Sequence, residues 1–383
     1  MTRATAAWPA YLAIATVGYV IYGLGAVGPY LRDRLALSDT QVGLHSTAMA
    51  IGLVIAGLFA ARAGARLGEA AVRAAALVLL AVAVIVLAWA PSLIATLAAG
   101  LNIGLGAGVV LGYANASLAT AGGSASRRGL GRANVWAMVA AFTAPILLAT
   151  GASTGIGWWI GLVPVIVLIA IDLVDVRGGA KLEVDDTAAT ERLPTAFWLT
   201  WVYLVAVIAV EFCIVFWAAT LVQRRTTSGL DQATLIAASF FAGMFVGRLG
   251  LSFGIGTSGD ARRPAGIGLV LALCGALVAW ASTIPVLSAV GLFIAGVGVA
   301  VLYPVGIAAA LAVAPRQLAA AGARLTLASG VAILVAPLAL GAIADLTGVV
   351  AGWALVIGLA IIALVLSRGL PKGRTEGAPR LAR

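Results

Sequence analysis

One acidic side chain stands apart from the rest. Of the 14 Asp and Glu residues, only Glu211 falls in the middle of a long apolar run, 197–222; the other 13 lie between such runs, at their ends or near the termini. At 1.5 Å per residue Glu211 is about 21 Å from the start of its run. If the run is a membrane span, a charge at that depth costs roughly 3 kcal/mol, and acids so placed face a water-filled cavity. Such a carboxyl could exchange a proton with that cavity or hold a cationic solute; the competing role is a neutral acid hydrogen-bonded to a helix partner. Arg248 sits in a neighbouring run, about 9 Å away in depth by the same rise, so a direct pair with Glu211 would take most of its side-chain length. Snorkelling to the water is the preferred course, and a gating or structural role is favoured over substrate binding. The single histidine, His45, could titrate near neutrality, but a hydrogen-bonded packing role is favoured. Tyr19 and Tyr22 stand one turn apart and are expected to share a helix face.

Other chemistry has no support. Neither lysine ends a Gly-rich turn of the phosphate-binding kind, and no cluster of His, Cys or acid has metal-ligand spacing. A hydrolytic triad would rest on His45 alone. No enzyme activity, cofactor or metal is expected.

The elements that must position these residues follow from composition. The chain has 383 residues, 62% of them apolar and 10% charged, with a mean hydropathy of +1.10. Soluble domains run nearer half apolar and a quarter charged, so a helical membrane protein remains. In hydrocarbon each backbone N–H and C=O needs an internal partner, and continuous runs such as 77–89 exclude ten-residue barrel strands. Twelve helical spans can be placed, from 10–31 to 350–367, the sixth at 156–174. The first run is too long for a signal-peptide core and is taken as a retained span. The net charge of +10 lies between spans, not in a stripe with interleaved aromatics, so nucleic acid is not an expected partner. With the N-terminus in the cytoplasm, 20 of the 24 Lys and Arg residues fall inside, leaving Arg32, Arg34, Arg224 and Arg225 outside; that bias places both termini in the cytoplasm, with the protein expected in an inner or plasma membrane. Residues 1–174 are expected to form an N-terminal six-helix bundle, 175–195 a cytoplasmic linker, and 196–383 a C-terminal six-helix bundle with a basic tail.

An internal repeat supports that division. Gly106-Ala-Gly108-Val-Val-Leu-Gly-Tyr113 matches Gly296-Val-Gly298-Val-Ala-Val-Leu-Tyr303 at an offset of 190. Gln41-x-x-Leu44 with Gly52 matches Gln232-x-x-Leu235 with Gly243 at 191, and Arg132 with Ala144-Pro145 matches Arg324 with Ala336-Pro337 at 192. Two parallel halves about an axis along the membrane normal are a carrier architecture.

These features resemble the major facilitator superfamily over essentially the whole chain. The link Ala61-Arg62-Ala-Gly64-Ala65-Arg66-Leu-Gly68 is close to the family's G-x-L-a-D-R-x-G-R signature, with Ala65 in place of its aspartate and Glu69 in place of a basic residue. Gly243-x-x-x-Gly247-Arg248 is similar to sugar-type permeases. The resemblance implies that the first, fourth, seventh and tenth helices line the cavity, which makes Tyr19, Tyr22, Asn102, Trp217 and Tyr303 candidate substrate contacts. Arg62, Arg66, Arg132, Arg248 and Arg324 are the gating candidates. Together these residues point to a secondary transporter working by alternating access as a monomer in the lipid bilayer, coupled to protons through Glu211. Export of a cationic or amphipathic small molecule is slightly favoured. A sugar-type importer or uniporter of a neutral solute is the alternative, and a receptor or scaffold without turnover is the alternative from another class.

Overall fold

Apolar runs become helices here because a helix satisfies its backbone polar groups within itself. The computed structural model describes residues 8–119, 123–174, 182, 192–252 and 260–371. In order these form α1 (Trp8–Leu35), α2 (Asp39–Leu67), α3 (Glu69–Trp89), α4 (Leu93–Ala119), α5 (Gly123–Ser153), a 3₁₀ turn (Trp158–Leu162), α6 (Val163–Val174), α7 (Thr195–Arg225), α8 (Leu230–Ser252), α9 (Arg262–Ala281), α10 (Pro285–Val313), α11 (Leu318–Thr347), α12 (Val349–Gly352) and α13 (Ala354–Ser367). Among the described residues eleven helical segments are long and apolar enough to cross a membrane, and the chain is built as a multi-pass membrane protein. The expected sixth span is shorter, a 17-residue segment Trp158–Val174. Gly157, at φ +118°, and Pro164 near the start of α6 explain its broken beginning. Apart from Leu182 and residues 192–195, the expected linker 175–195 lies outside the described residues.

Helices α1 to α6 pack among themselves, as do α7 to α13. Between the two sets α2 runs along α11, α5 along α8, and α1 meets α7. α1 and α7 are the enclosed pair: 78% and 94% of their apolar windows are buried, against 33–50% for the other nine spans. Any polar group on their inner faces is thus cut off from lipid.

Glycines show that the two sets are built alike, and they correct the repeat register. A Cβ on Gly52 of α2 would overlap the Leu101 carbonyl of α4, and one on Gly104 of α4 would overlap the Met49 carbonyl of α2. In the second set Gly243 of α8 meets the Phe293 carbonyl of α10, and Gly296 of α10 meets the Phe240 carbonyl of α8. Gly106 then approaches α3 at Ala76, as Gly298 approaches α9 at Gly268. The structural match is therefore Gly104 with Gly296 and Gly106 with Gly298, at an offset of 192 rather than 190. Alternating glycines read the same when slid by two residues, so only the neighbouring helix reveals the register. Without a hydrophobic drive between helices in lipid, such close backbone approach is what holds spans together.

A buried ion pair and a buried histidine join neighbouring helices. Arg73 of α3 pairs with fully buried Asp172 of α6. His45, 1% exposed, shares its Nδ1 with the Gln41 and Val42 carbonyls and its Nε2 with the Thr96 hydroxyl at 2.9 Å. Both ring nitrogens are thus spent on groups of α2 and α4, as in a packing residue.

Forcing a side chain into these contacts costs about 1–3 kcal/mol. Gly104→Val and Gly296→Val are each expected to lower the melting temperature of the purified protein by several degrees. Gly358→Ala, at a position with no neighbour within 4 Å, should leave it unchanged. Unequal losses at the two repeat positions would contradict the register.

Candidate functional site

α7 begins behind Pro194 and runs 31 residues. It carries Glu211 at its centre, 5% exposed. The partner comes from the other helix set: the Tyr22 hydroxyl of α1 donates to Glu211 Oε1 at 2.8 Å. Aromatic rings hold Tyr22 in place, Phe212 stacked at 6.0 Å and Phe241 of α8 edge-on at 5.5 Å. The Arg248 guanidinium, also on α8, acts electrostatically on both the Tyr22 hydroxyl and the Glu211 carboxyl. It forms no ion pair with Glu211 within 4.0 Å. Its Nη1 instead makes a long 3.5 Å contact with Asn134 Oδ1 of α5. Tyr303 of α10, 37% exposed, faces the same two charges.

The order Glu211, Tyr22, Arg248, Asn134 crosses between the helix sets at every step, from α7 to α1 to α8 to α5. Sequence spacing suggested that Arg248 would snorkel away. It stays half-buried at the seam instead, because Tyr22 and Asn134 offer it polar company there.

Several expected cavity residues lie elsewhere. Tyr19 does not share the Tyr22 surroundings: it is 3% exposed and its hydroxyl donates to the Gly161 carbonyl inside the first helix set. Three residues advance a helix by 300°, leaving about 60° between the two side chains, enough at a seam to send them into different sets. Trp217 is fully buried and donates to the Pro337 carbonyl of α11 at 3.0 Å, so it packs α7 on α11. The Asn102 amide donates to Ala98 in its own helix at 2.8 Å. Among the gating candidates, Arg62, Arg66 and Arg132 are exposed. Arg62 donates to the Leu58 carbonyl at 3.1 Å, and the backbone carbonyl of half-buried Arg324 accepts from the Trp201 indole at 2.7 Å.

The tightest junction between the sets lies at the end where α2 begins and α11 finishes, and sequence reading missed it. Ser38 caps α2, its hydroxyl accepting from the Gln41 N–H while the Gln41 side chain accepts from the Ser38 N–H at 3.0 Å. Onto that cap α11 places Asp345, whose carboxylate accepts from the Asp39 N–H at 2.7 Å, the Ser38 hydroxyl at 2.9 Å and the Thr40 N–H at 3.0 Å. A carboxylate at a helix N-terminus also meets the positive end of the helix dipole. Beside it Arg32 of α1 donates to Asp39 at 3.3 Å and to Gln223 of α7 at 3.1 Å. Between this seal and Glu211 the two sets leave a void of about 10 Å³, bounded by residues such as Ala26, Pro145, Ala219 and Phe240. The Ser38-x-x-Gln41 capping box was legible in sequence; its partner 300 residues on was not.

Neither a protein-family model nor a curated protein matches the sequence. Solved structures do. The chain is similar to the xylose transporter XylE from E. coli in a partially occluded inward open conformation, at 12% identity and a TM-score of 0.76, with 97% of this chain and 98% of that one covered. It is similar to a structure from work on substrate recognition in proton dependent oligopeptide transporters, at 14% identity and 0.75, covering 96% and 97%. A bacterial homologue of the human lysosomal transporter Spinster, inward-facing and occupied, matches at 16% identity and 0.71, covering 94% and 95%. With its all-helical build, paired helix sets and these end-to-end matches, the chain has the major facilitator fold.

Proposed function

We propose that this protein is a secondary transporter that moves a small solute by alternating access, coupled to protons through Glu211. The observation that carries this reading is the polar relay, in which a buried carboxyl on one helix set is held by a hydroxyl from the other. An ionised Glu211 accepts a charge-assisted bond from Tyr22 and attracts Arg248, so it draws the seam together. Protonation removes that charge and loosens the seam. Residues 1–174 and 196–383 are the moving units, with Asp345 and Arg32 sealing one end. The basic residues between the spans at the other end support a reading in which that end faces the cytoplasm, the protein lying in an inner or plasma membrane and working as a monomer. The matched transporters have the same fold and lend this reading analogy only. A neutral-solute carrier has less support, because Asn102, Tyr19 and Trp217 spend their polar atoms on helix carbonyls.

Both ideas can be read from one reporter. In a background with Cys213 and Cys274 replaced, Ala219→Cys places a thiol at the sealed void. Maleimide labelling, normalised to the unfolded chain at each pH, should quicken as pH falls in the otherwise unaltered protein. Glu211→Gln should fix it at the fast rate at every pH; a pH dependence that survives in this variant sinks the coupling assignment. Asp345→Asn removes hydrogen bonds to a charged acceptor, each worth about 1.5 kcal/mol or more, and should raise the labelling rate about tenfold at all pH values. No change there would show that Asp345 does not hold the seal.

A further inference from the structure

The relay leaves Arg248 with donors to spare. Its Nε is sealed from solvent without a partner, and among the described residues its side-chain contacts are the Tyr22 hydroxyl and the long 3.5 Å contact with Asn134. Half-buried Arg225 also has a sealed Nε without a partner, but its Nη2 donates to the Ala281 carbonyl at 2.6 Å; three other arginines are better satisfied. Arg73 is paired with Asp172. Arg34 donates to the carbonyls of Leu87, Ala88 and Ala90 and lies over the Trp158 ring. Arg32 binds Asp39 and Gln223. A guanidinium presents a planar fork of N–H donors that matches two oxygens of a carboxylate. Glu211 is the nearby carboxyl, yet it bonds Tyr22 and stays beyond ion-pair distance of Arg248. The fork is therefore open to an acceptor from outside the chain.

We propose that the Glu211–Tyr22–Arg248 relay is the binding site of a monoanionic carboxylate solute, held by Arg248 and taken up together with a proton on Glu211. This rests on the reading of Glu211 as the coupling carboxyl. Charge decides the order of events. With Glu211 ionised, its charge and that of Arg248 cancel, and an incoming anion is repelled by Glu211. With Glu211 protonated, the site carries one net positive charge, which one carboxylate neutralises. Proton and anion thus strengthen each other's binding, and by reciprocity each does so to the same extent. They travel as symported partners. A cationic solute, the choice that Glu211 alone suggested, would have to sit beside the Arg248 charge. The body of the solute meets Phe212 and Phe241, the rings that bracket Tyr22, so an apolar carboxylate fits best. The titratable and charged groups facing Glu211 are Tyr22 from α1, Arg248 from α8 and Tyr303 from α10. Among the described residues, α9, α11, α12 and α13, which also pack on α7, bring none to it.

The test is calorimetric titration and thermal-shift measurement on the purified full chain at pH 5.5 and 7.5. The probes are benzoate, hexanoate and lactate, with benzamide and benzylammonium as neutral and cationic counterparts. At least one carboxylate should bind, more tightly at pH 5.5, by up to about tenfold per pH unit for one linked proton; benzamide and benzylammonium should not. Arg248→Gln should weaken that binding by about 30-fold or more, the loss expected when a buried charge pair loses one member. Should that variant not fold, Arg248→Lys keeps the charge, breaks the fork, and should still weaken binding about tenfold. Glu211→Gln should bind the carboxylate equally well at both pH values. No carboxylate binding at millimolar concentration, wild-type affinity in either Arg248 variant, or stabilisation by benzylammonium instead would overturn the anion assignment while leaving Glu211 as a coupling group. An Glu211→Gln protein that keeps the pH dependence would overturn both.

Discussion

A peptide group inside hydrocarbon has no water to turn to, and the architecture of this chain follows from that. It forces the apolar runs into helices, and it removes the hydrophobic drive that would press those helices together in water. What remains is close backbone contact, and the paired glycines of α2 with α4 and of α8 with α10 supply it in both sets. Their repetition sets α1 and α7 at the centre, the two helices most enclosed by protein.

The same constraint governs where polar side chains survive. Each buried one described above has found a partner or stands at the seam between the sets. His45 and the Arg73–Asp172 pair lock neighbours within one set. The relay and the Asp345 cap join one set to the other. These two junctions differ in their surroundings. Asp345 is exposed at a helix end, where water and salt screen it. Glu211 is buried at mid-depth, where gaining or losing one charge alters every nearby interaction. A fixed clasp suits the first setting, and a response to protons suits the second.

Part of the candidate site was legible residue by residue. Glu211 announced itself as an acid without reason to be in an apolar run, and Tyr22 and Tyr303 were named by helix order. Tyr19, Trp217 and Asn102 were named on the same ground and face other partners. Spacing along one helix cannot tell which of two neighbouring sets a side chain will enter, because about 60° of rotation separates them. Asn134 and Asp345 carried no signal at all, being ordinary polar residues near helix ends until a second helix arrives.

The sequence by itself determined a helical membrane protein, the centres of its spans though not all of their ends, its duplication and the one acid out of place. Those properties are local or additive: hydropathy sums along a run, and a repeat compares the chain with itself. Only the tertiary structure decided the register of the repeat, the direction in which Tyr19 and Tyr22 part, the partner of the α2 cap and the company that Arg248 keeps. Each of these depends on groups far apart in the chain meeting within a few ångströms, from glycine and carbonyl pairs in neighbouring spans to Asp345 on the α2 cap, and such meetings are set by how whole helices pack.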